Sequence, residues 1–279
     1  MPLKLMYITN QPDVVKIATE AGVDIIFIDM EYIGKDERQG GMDTVKNHHT
    51  ISDIKNIRKI IDADCKKTEI LVRVNPIHND SETEIKEAIA SGADIVMLPM
   101  WKTLDEVKKF LQLVGGQAKT CLLLETKEAA EIIDEVLKLD SIDCIYIGLN
   151  DLHLSYGMKF MFEPLTEGIV DTLAEKIKSK GIDFGFGGIA KLHEGAVPAE
   201  KVLGEHIRLK SDMVILSRSF CKMDGTVEPL EIAEKFRLDV RGLREEETLL
   251  HTKTKEFLEE NRLAIVNAVN EIIRGSAAK

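Results

Sequence analysis

The sequence predicts an α/β fold, a (β/α)8 TIM barrel with a C-terminal helical extension. Its 279 residues suit one such barrel, which commonly runs to about 250 residues. Eight short β-rich runs alternate along the chain with longer helical patterns. The runs are continuously apolar, as in parallel strands buried on both faces. No Pro/Gly/Ser-rich linker divides the chain, so we expect a barrel domain over residues 1–240 and a helical extension over 241–279.

The predicted strands recur at intervals that leave room for a helix between most neighbours. They cover residues 3–9, 24–30, 68–74, 94–100, 119–125, 143–149, 183–189 and 212–218. Helices are expected, for example, over 13–21, 82–90, 104–113, 127–138 and 167–180. Several strands are entered in the same way, in the segments EAGVD, ASGAD and SKGID. There glycine provides the left-handed cap of the preceding helix, and aspartate opens the strand.

Composition excludes several classes of function. A net charge of −11 would repel a phosphate backbone, so we expect no nucleic-acid partner. No apolar run approaches the ~20 residues that cross a bilayer, and the N-terminus MPLKLMYITN does not have the pattern of a signal peptide. The cysteines, without a C-x-x-C pair, indicate small buried residues in a reducing cytoplasm. They are Cys65, Cys121, Cys144 and Cys221.

Polar residues lie at the carboxyl ends of several of the predicted strands, and these strand ends form the catalytic face of a barrel. The residues are Asp29, Glu31, Arg73, Asn75, Glu125, Asn150, Asp151 and Arg218. Glu125 and Asp151 end neighbouring strands, so their carboxylates can converge. Two such carboxylates repel each other unless a cation lies between them, and Mg²⁺ or Mn²⁺ prefers oxygen ligands of this kind. The alternative is that Glu125 caps the next helix and Asp151 makes a local Asx turn.

Five motifs carry a resemblance to a known family. In order, the chain contains IDMEYIGKDER, VRVN, LPMWKTLDEV, LLLETKEAAEIIDEVL and IYIGLNDLHLSYG. Together they resemble the HpcH/HpaI aldolase and citrate lyase β-subunit family, from about Ile25 to Gly157 and more loosely to MVILSRSF. The resemblance implies a (β/α)8 barrel of the pyruvate-type superfamily. It also implies Mg²⁺ or Mn²⁺, and cleavage or formation of a carbon-carbon bond beside a 2-oxo acid or a thioester enolate.

The resemblance also assigns roles to individual residues. By position, Glu125 and Asp151 match the metal ligands, and Arg73 of VRVN matches the substrate-binding arginine. These roles agree with the chemistry, because aldol cleavage develops an enolate that a cation and a guanidinium both stabilise. For Arg73 the alternative is a structural ion pair with Asp29 or Glu31. Further candidates are Glu31 and His49 for catalysis, and Asp29, Asn75, Asn150 and Arg218 for substrate binding.

The sequence departs from the family pattern after the second strand. The aldolase branch has D-x-E-H there, and this chain has D-M-E-Y at residues 29–32. Lys35 and Arg38 resemble the citrate lyase branch instead. The base is therefore expected to be His49, Tyr32 or a metal-bound water, and His49 is favoured because its pKa is near neutral. A merely solvated loop histidine is the alternative.

The segment GFGGIAKLHEGAVPAE follows the seventh strand, where barrels often bind phosphate. Its glycines permit close backbone approach, and Lys191, His193 and Arg218 offer positive charge. An anionic group on the substrate would suit this loop. Ordinary turn chemistry explains the glycines equally simply.

The C-terminal extension carries an apolar stripe at helical spacing, which must be buried. The stripe consists of Leu258, Ile265, Val266, Val269, Ile272 and Ile273. It can pack on its own barrel or on a neighbouring subunit. The resemblance favours the second, and we expect a homo-oligomer.

Three functions remain open at this point. The first is a cytoplasmic, metal-dependent lyase that acts on a 2-oxo acid aldol through a pyruvate enolate. The second is a citrate-lyase-like acyl-CoA lyase, which an ordered basic groove for the CoA phosphates would favour. The third is a catalytically degenerate barrel that serves as a binding or assembly subunit, as the missing histidine suggests.

Overall fold

The computed structural model describes residues 2–34, 47–63, 67–221 and 228–277. Within them eight parallel strands close into a barrel in chain order, which confirms the predicted fold class. The strands are β1 Lys4–Ile8, β2 Ile25–Asp29, β3 Glu69–Arg73, β4 Ile95–Leu98, β5 Lys119–Leu124, β6 Cys144–Ile147, β7 Asp183–Ile189 and β8 Met213–Leu216. Each strand lies within its predicted span, and most strands are shorter than that span because its end residues belong to the loops.

The described helices surround the barrel and extend the chain beyond it. They are α1 Pro12–Glu20, α2 Ile51–Ala63, α3 Ser81–Ala90, α4 Leu104–Val114, α5 Lys127–Glu131, α6 Ile133–Val136, α7 Leu149–Ser155, α8 Glu163–Thr166, α9 Ile169–Ser179, α10 Ala199–Leu209, α11 Pro229–Leu250 and α12 Lys255–Ala277. The helix predicted over 127–138 is interrupted at Ile132, whose φ of −98° and ψ of 8° depart from helical values. Helix α7 was not predicted, and its first residue, Leu149, was included in the predicted sixth strand.

Buried apolar residues form two separate layers. One fills the inside of the barrel and includes Met6, Phe27, Leu71, Met97 and Tyr146. The other lies between the strands and the surrounding helices. Cys121 and Cys144 belong to the inner layer, as expected for small buried residues, whereas Cys221 is half-buried and Cys65 lies outside the described residues. None of the described helices is long and apolar enough to cross a membrane.

The aspartates that precede alternate strands connect the strands in pairs. The residue just before β2, β4, β6 or β8 accepts a hydrogen bond from a backbone N–H of the preceding strand. The four bonds are Leu5 to Asp24 at 2.8 Å, Ile70 to Asp94 at 2.7 Å, Thr120 to Asp143 at 2.8 Å and Phe184 to Asp212 at 2.9 Å. This explains the aspartates of EAGVD and ASGAD. Asp183 of SKGID instead pairs with Lys4 at 3.2 Å.

Asp143→Ala should lower the free energy of unfolding by about 1–3 kcal/mol, because it removes the acceptor of a part-buried amide. The Asp143 carboxylate accepts from Thr120 N at 2.8 Å and lies 3.2 Å from Thr120 Oγ1. Asp140→Ala, at an exposed site nearby, is the matched control and should change stability little. Urea unfolding of both variants measures the difference, and equal midpoints would contradict the prediction.

The C-terminal segment closes the N-terminal end of the barrel. Glu247 Oε1 accepts from Leu3 N at 2.6 Å, while Arg244 donates to Leu3 O at 2.6 Å and to Asp24 at 3.0 Å. These residues lie in α11, which continues through residue 240, so the predicted domain boundary falls inside a helix. Helix α12 then packs along α10, where Asn261 Nδ2 donates to Lys201 O at 2.9 Å. The helix thus lies on its own barrel.

Candidate active site

A cavity of about 530 Å³ lies at the carboxyl ends of the strands. Six of the predicted site residues line it: Asp29, Arg73, Glu125, Asn150, Asp151 and Arg218. The remaining three, Glu31, His49 and Asn75, are not part of its lining. Its other walls include Phe27, Asn47, Tyr146, Gly148, Met161, Gly187, Gly188 and Ser217. All the strands except β4 therefore contribute residues, directly or at their ends, to one cavity that places charged side chains among apolar walls.

Glu125 is the acid that follows β5, and its side chain is buried. Its Oε1 accepts a hydrogen bond from Met100 N at 3.1 Å, and Met100 has a left-handed backbone with φ of 53°. On the other side, a Cβ at Gly148 would lie 3.0 Å from Glu125 Oε2. The glycine of IGLND therefore leaves room for this carboxylate, which a side chain at Gly148 would displace.

Glu125 does not cap the helix after it. The cap of α5 is Thr126, whose Oγ1 accepts from Ala129 N at 3.1 Å and donates to Trp101 O at 2.9 Å. The capping alternative for Glu125 is therefore not what the structure shows. Asp151 lies in the first turn of α7, where an acid also interacts favourably with the helix dipole.

The charge of Asp151 acts on Glu125. Burial raises the pKa of Glu125 well above its ordinary value, and the negative charge of Asp151 raises it further, whereas Arg73 opposes the rise. Such a pair matches the oxygen-donor set of Mg²⁺ or Mn²⁺, which often takes one or two carboxylates and leaves its other positions to water or substrate. Among the described residues no group of three or more His, Cys, Asp or Glu could hold a metal ion. Glu125 and Asp151 line the same cavity and are oxygen donors of the kind that such a cation takes.

Arg73 lines the cavity and contacts the two acids at the end of β2. Its Nε and Nη2 donate to the two oxygens of Asp29 at 2.8 and 2.9 Å, and its Nη1 is 3.3 Å from Glu31 Oε2. Burial alone would lower the pKa of Arg73, but Asp29 and Glu31 hold it above its ordinary value. Its guanidinium also lies 5.6 Å from the centre of the Phe27 ring. The ion pair considered as the alternative for Arg73 is therefore present, and it fixes an arginine that also lines the cavity.

Asn47 is a site residue that the sequence did not indicate. Its Nδ2 donates to Asp29 Oδ2 at 2.8 Å, and its Oδ1 is 3.3 Å from Arg218 Nη2. It therefore connects the end of β2 with the end of β8. Burial lowers the pKa of Arg218, against the opposing charge of Asp29. The only sequence signal for Asn47 was its place in the long segment after β2, beside two histidines.

His49 contacts the end of β2 through one ring nitrogen. Asp29 N donates to His49 Nδ1 at 3.0 Å, so the neutral ring carries its proton on Nε2. To accept a proton at Nδ1 the ring would have to break this backbone hydrogen bond. The geometry therefore suits a hydrogen-bond donor better than a base, and the catalytic role of His49 stays a prediction.

Asn75 and Tyr32 lie on the outer side of β2 and β3. Asn75 Oδ1 accepts from Tyr32 N and Ile33 N, each at 3.0 Å, and its Nδ2 donates to Glu84 at 2.7 Å. Asn75 thus holds the backbone after β2, and a contact with substrate remains untested. The Tyr32 side chain is 64% exposed and does not line the cavity. Lys35 and Arg38 lie outside the described residues.

The loop after β7 uses its positive charges internally. Lys191 Nζ lies 2.8 Å from Asp239 Oδ2 of α11, and His193 Nδ1 lies 2.6 Å from Glu200 Oε1. Gly187 and Gly188 line the cavity, but Lys191 and His193 do not. The anionic group expected here would therefore meet Arg218 rather than these two residues.

Fold and cavity together define a (β/α)8-barrel protein with two carboxylates, one of them buried, and an anchored arginine at the C-terminal face of the barrel. Residues 4–163 match the family model described as HpcH/HpaI aldolase/citrate lyase. The chain belongs to this family, which confirms the resemblance, and proteins of the family are typically lyases or aldolases. No curated protein matches the chain.

Solved structures share the fold at low sequence identity. An HpcH/HpaI aldolase from Desulfitobacterium hafniense DCB-2 is 16% identical, with a TM-score of 0.58 over 77% of this chain and 86% of that one. An HpcH/HpaI aldolase/citrate lyase family protein from Burkholderia cenocepacia J2315 is 17% identical, with a TM-score of 0.60 over 88% and 94%. Macrophomate synthase is 12% identical, with a TM-score of 0.56 over 77% and 78%. At these identities the similarity shows the fold alone.

Proposed function

We propose that this protein is a divalent-metal-dependent carbon-carbon lyase that cleaves or forms a 2-oxo acid aldol. The observation that carries the proposal is that Glu125, Asp151 and Arg73 line one cavity, with the first carboxylate buried. Glu125 and Asp151 would hold Mg²⁺ or Mn²⁺. A cation bound there supplies Lewis-acid polarisation of the carbonyl oxygen of the 2-oxo acid.

The protein groups around this position bind and orient the substrate. Arg73 provides fixed positive charge at the cavity wall, and its fork is held by Asp29 and Glu31 before substrate arrives. Arg218 would bind a carboxylate or another anionic group of the substrate from the side of β8. Asn150 offers an amide from the first turn of α7. Pyruvate, as a planar 2-oxo acid, is the expected common half of the substrates.

Product analysis with purified protein tests the function directly. Aldols of pyruvate should release pyruvate in the presence of Mg²⁺ or Mn²⁺, and EDTA should stop the reaction. Oxalate, a planar dianion resembling the enolate of pyruvate, should inhibit by binding in the same cavity. Release of acetyl-CoA from an acyl-CoA substrate would support the citrate-lyase-like alternative, and no turnover with either class would support the degenerate barrel.

We further propose a cytoplasmic homo-oligomer with α12 in its interface. Ile265 and Val269 of the apolar stripe are buried against the chain's own barrel, so they are not free to contact a partner. Phe257 and Leu263 of the same helix are 41% and 49% exposed. An interface built on α12 would use such exposed residues rather than the stripe itself.

Leu263→Glu should therefore shift the chain toward smaller species, because a charge in an apolar interface is costly to bury. Light scattering at micromolar concentration measures the change, with Leu230→Glu, at an 86% exposed position in α11, as the control. This substitution is a sharper test than truncation after Leu243, which would also remove the Glu247 contact with Leu3. A monomeric parent chain, or an unchanged Leu263→Glu assembly, would contradict the role of α12.

A further inference from the structure

The pairing of β7 with β8 changes register in the middle of the two strands. Gly185 pairs with Met213 and Gly188 pairs with Ile215, so three residue steps on β7 face two on β8. One residue of β7 is therefore extra, which is a β-bulge. A bulge takes backbone groups out of the ladder, and buried groups of this kind need other partners.

The hydroxyl of Tyr146 provides those partners from the neighbouring strand β6. It accepts from Ile215 N at 3.0 Å and donates to Gly187 O at 2.5 Å, with Phe186 O at 3.2 Å. The side chain is 1% exposed, and burial raises its pKa, so the phenol stays protonated and keeps its donor. One hydroxyl thus bridges both strands across the register change.

Two glycines of GFGGI are required by this arrangement. A Cβ at Gly185 would lie 2.6 Å from Tyr146 Cε2, so only glycine lets the ring pack against the β7 backbone. Gly187 has φ of +56°, and a Cβ there would lie 2.8 Å from Leu149 Cδ1. The bulge is therefore in close contact with the ring on one side and with Leu149 on the other.

Leu149 is the first residue of α7, and Asp151 lies in the same turn. Tyr146, Gly187 and Leu149 also line the cavity that contains Asp151. We propose that Tyr146 is a positioning residue: its hydroxyl holds the β7 bulge so that Gly187 supports Leu149 and, with it, the turn that carries Asp151. This inference rests on the proposed function, because it takes Asp151 as a metal ligand.

Tyr146→Phe tests the inference because it keeps the ring and removes the hydroxyl. Gly187 O and Ile215 N then lose their partner, and the bulge can move away from Leu149. Outer contacts that orient a metal ligand are typically worth 10–100-fold in affinity, so we expect Mn²⁺ to bind about 10-fold more weakly or worse. Electron paramagnetic resonance of free Mn²⁺ measures this affinity without any substrate. Hydrogen exchange of the Ile215 amide should become faster in the same variant.

Tyr7→Phe is the matched control. Tyr7 is also a buried strand tyrosine, and its hydroxyl lies 3.5 Å from the backbone oxygen of Cys221, away from the bulge. This variant should bind Mn²⁺ as the parent chain does, whatever stability it loses. If Tyr146→Phe does not fold, Gly187→Ala tests the same contact from the β7 side and should weaken Mn²⁺ binding in the same way.

The outcomes separate the two proposals. A parent chain that binds no Mn²⁺ would overturn the proposed function and this inference with it. A parent chain that binds Mn²⁺, with equal affinity in the folded Tyr146→Phe and Tyr7→Phe variants, would overturn this inference alone. Weaker binding in Tyr146→Phe than in Tyr7→Phe would support it, and if Tyr146→Phe does not fold, weaker binding in Gly187→Ala than in Tyr7→Phe would do so.

Discussion

Glu125→Gln and Asp151→Asn are each expected to lower the affinity for Mn²⁺ by at least ~100-fold, since loss of a ligand should exceed the effect of outer contacts. The amide oxygen that replaces each carboxylate carries no charge. A hard cation then loses half of the protein's negative charge at the site. Isothermal titration calorimetry with Mn²⁺ measures the affinity of both variants.

Thermal unfolding gives an independent signature of the same site. Burial and the charge of Asp151 raise the pKa of Glu125, so Glu125→Gln removes a carboxylate that is unfavourable without metal. Its amide oxygen can still accept from Met100 N. The metal-free variant should therefore be at least as stable as the parent, and the rise in Tm that Mn²⁺ produces should disappear.

Glu69→Gln is the matched control for this pair of variants. Glu69 opens β3 at the opposite end of the barrel and lies 2.6 Å from Lys119 Nζ. Its replacement should leave Mn²⁺ affinity unchanged. Unchanged affinity in both Glu125→Gln and Asp151→Asn would remove these residues from the proposed metal site.

Arg73→Lys should lower kcat by about 10²–10³-fold and change KM much less. A fall in kcat of this size is usual when a preorganised donor to a developing oxyanion is removed. Lysine keeps the charge, but it cannot form the two parallel hydrogen bonds that Arg73 makes with Asp29. The lysine ammonium group would then be free to move away from the reacting oxygen. Steady-state kinetics of pyruvate release measure both constants.

Arg58→Lys controls for the loss of a guanidinium outside the cavity. Arg58 pairs with Asp94 and lies 3.4 Å from Asp62, on the outside of the barrel. Because a loss of stability would also lower kcat, the free energy of unfolding is measured for Arg58→Lys and for Arg73→Lys. Only Arg73→Lys should lose turnover at a temperature where both variants are folded. A loss confined to KM would assign Arg73 to ground-state binding instead.

Much of the architecture is determined locally and can be predicted from the sequence. The eight strands are short, largely apolar runs, several of them entered through glycine and aspartate, and these signals depend only on neighbouring residues. Strand order follows from the βα repeat, since parallel neighbours need crossover helices. The predicted strand order placed six site residues at one end of the barrel, where they line one cavity. They are Asp29, Arg73, Glu125, Asn150, Asp151 and Arg218.

Contacts between distant residues were decided only by the closed barrel. Asn47 and Arg218 are 171 positions apart, and the ends of β2 and β8 bring them to 3.3 Å. His49 Nδ1 accepts from the backbone N–H of Asp29, and the outward position of Asn75 depends on the turn after β2. No local pattern contains this information, because each contact joins residues at least 20 positions apart in the sequence.

The sequence by itself determined the barrel, its strand order and the face that carries the carboxylates, because periodicity, turn residues and chain order are properties of short segments. The tertiary structure alone decided the register change between β7 and β8 and the use of Tyr146 to bridge it. It also decided that Arg73 is held by Asp29. These features arise when closure of the barrel fixes the stagger of its strands, which leaves particular backbone and charged groups to find partners across it.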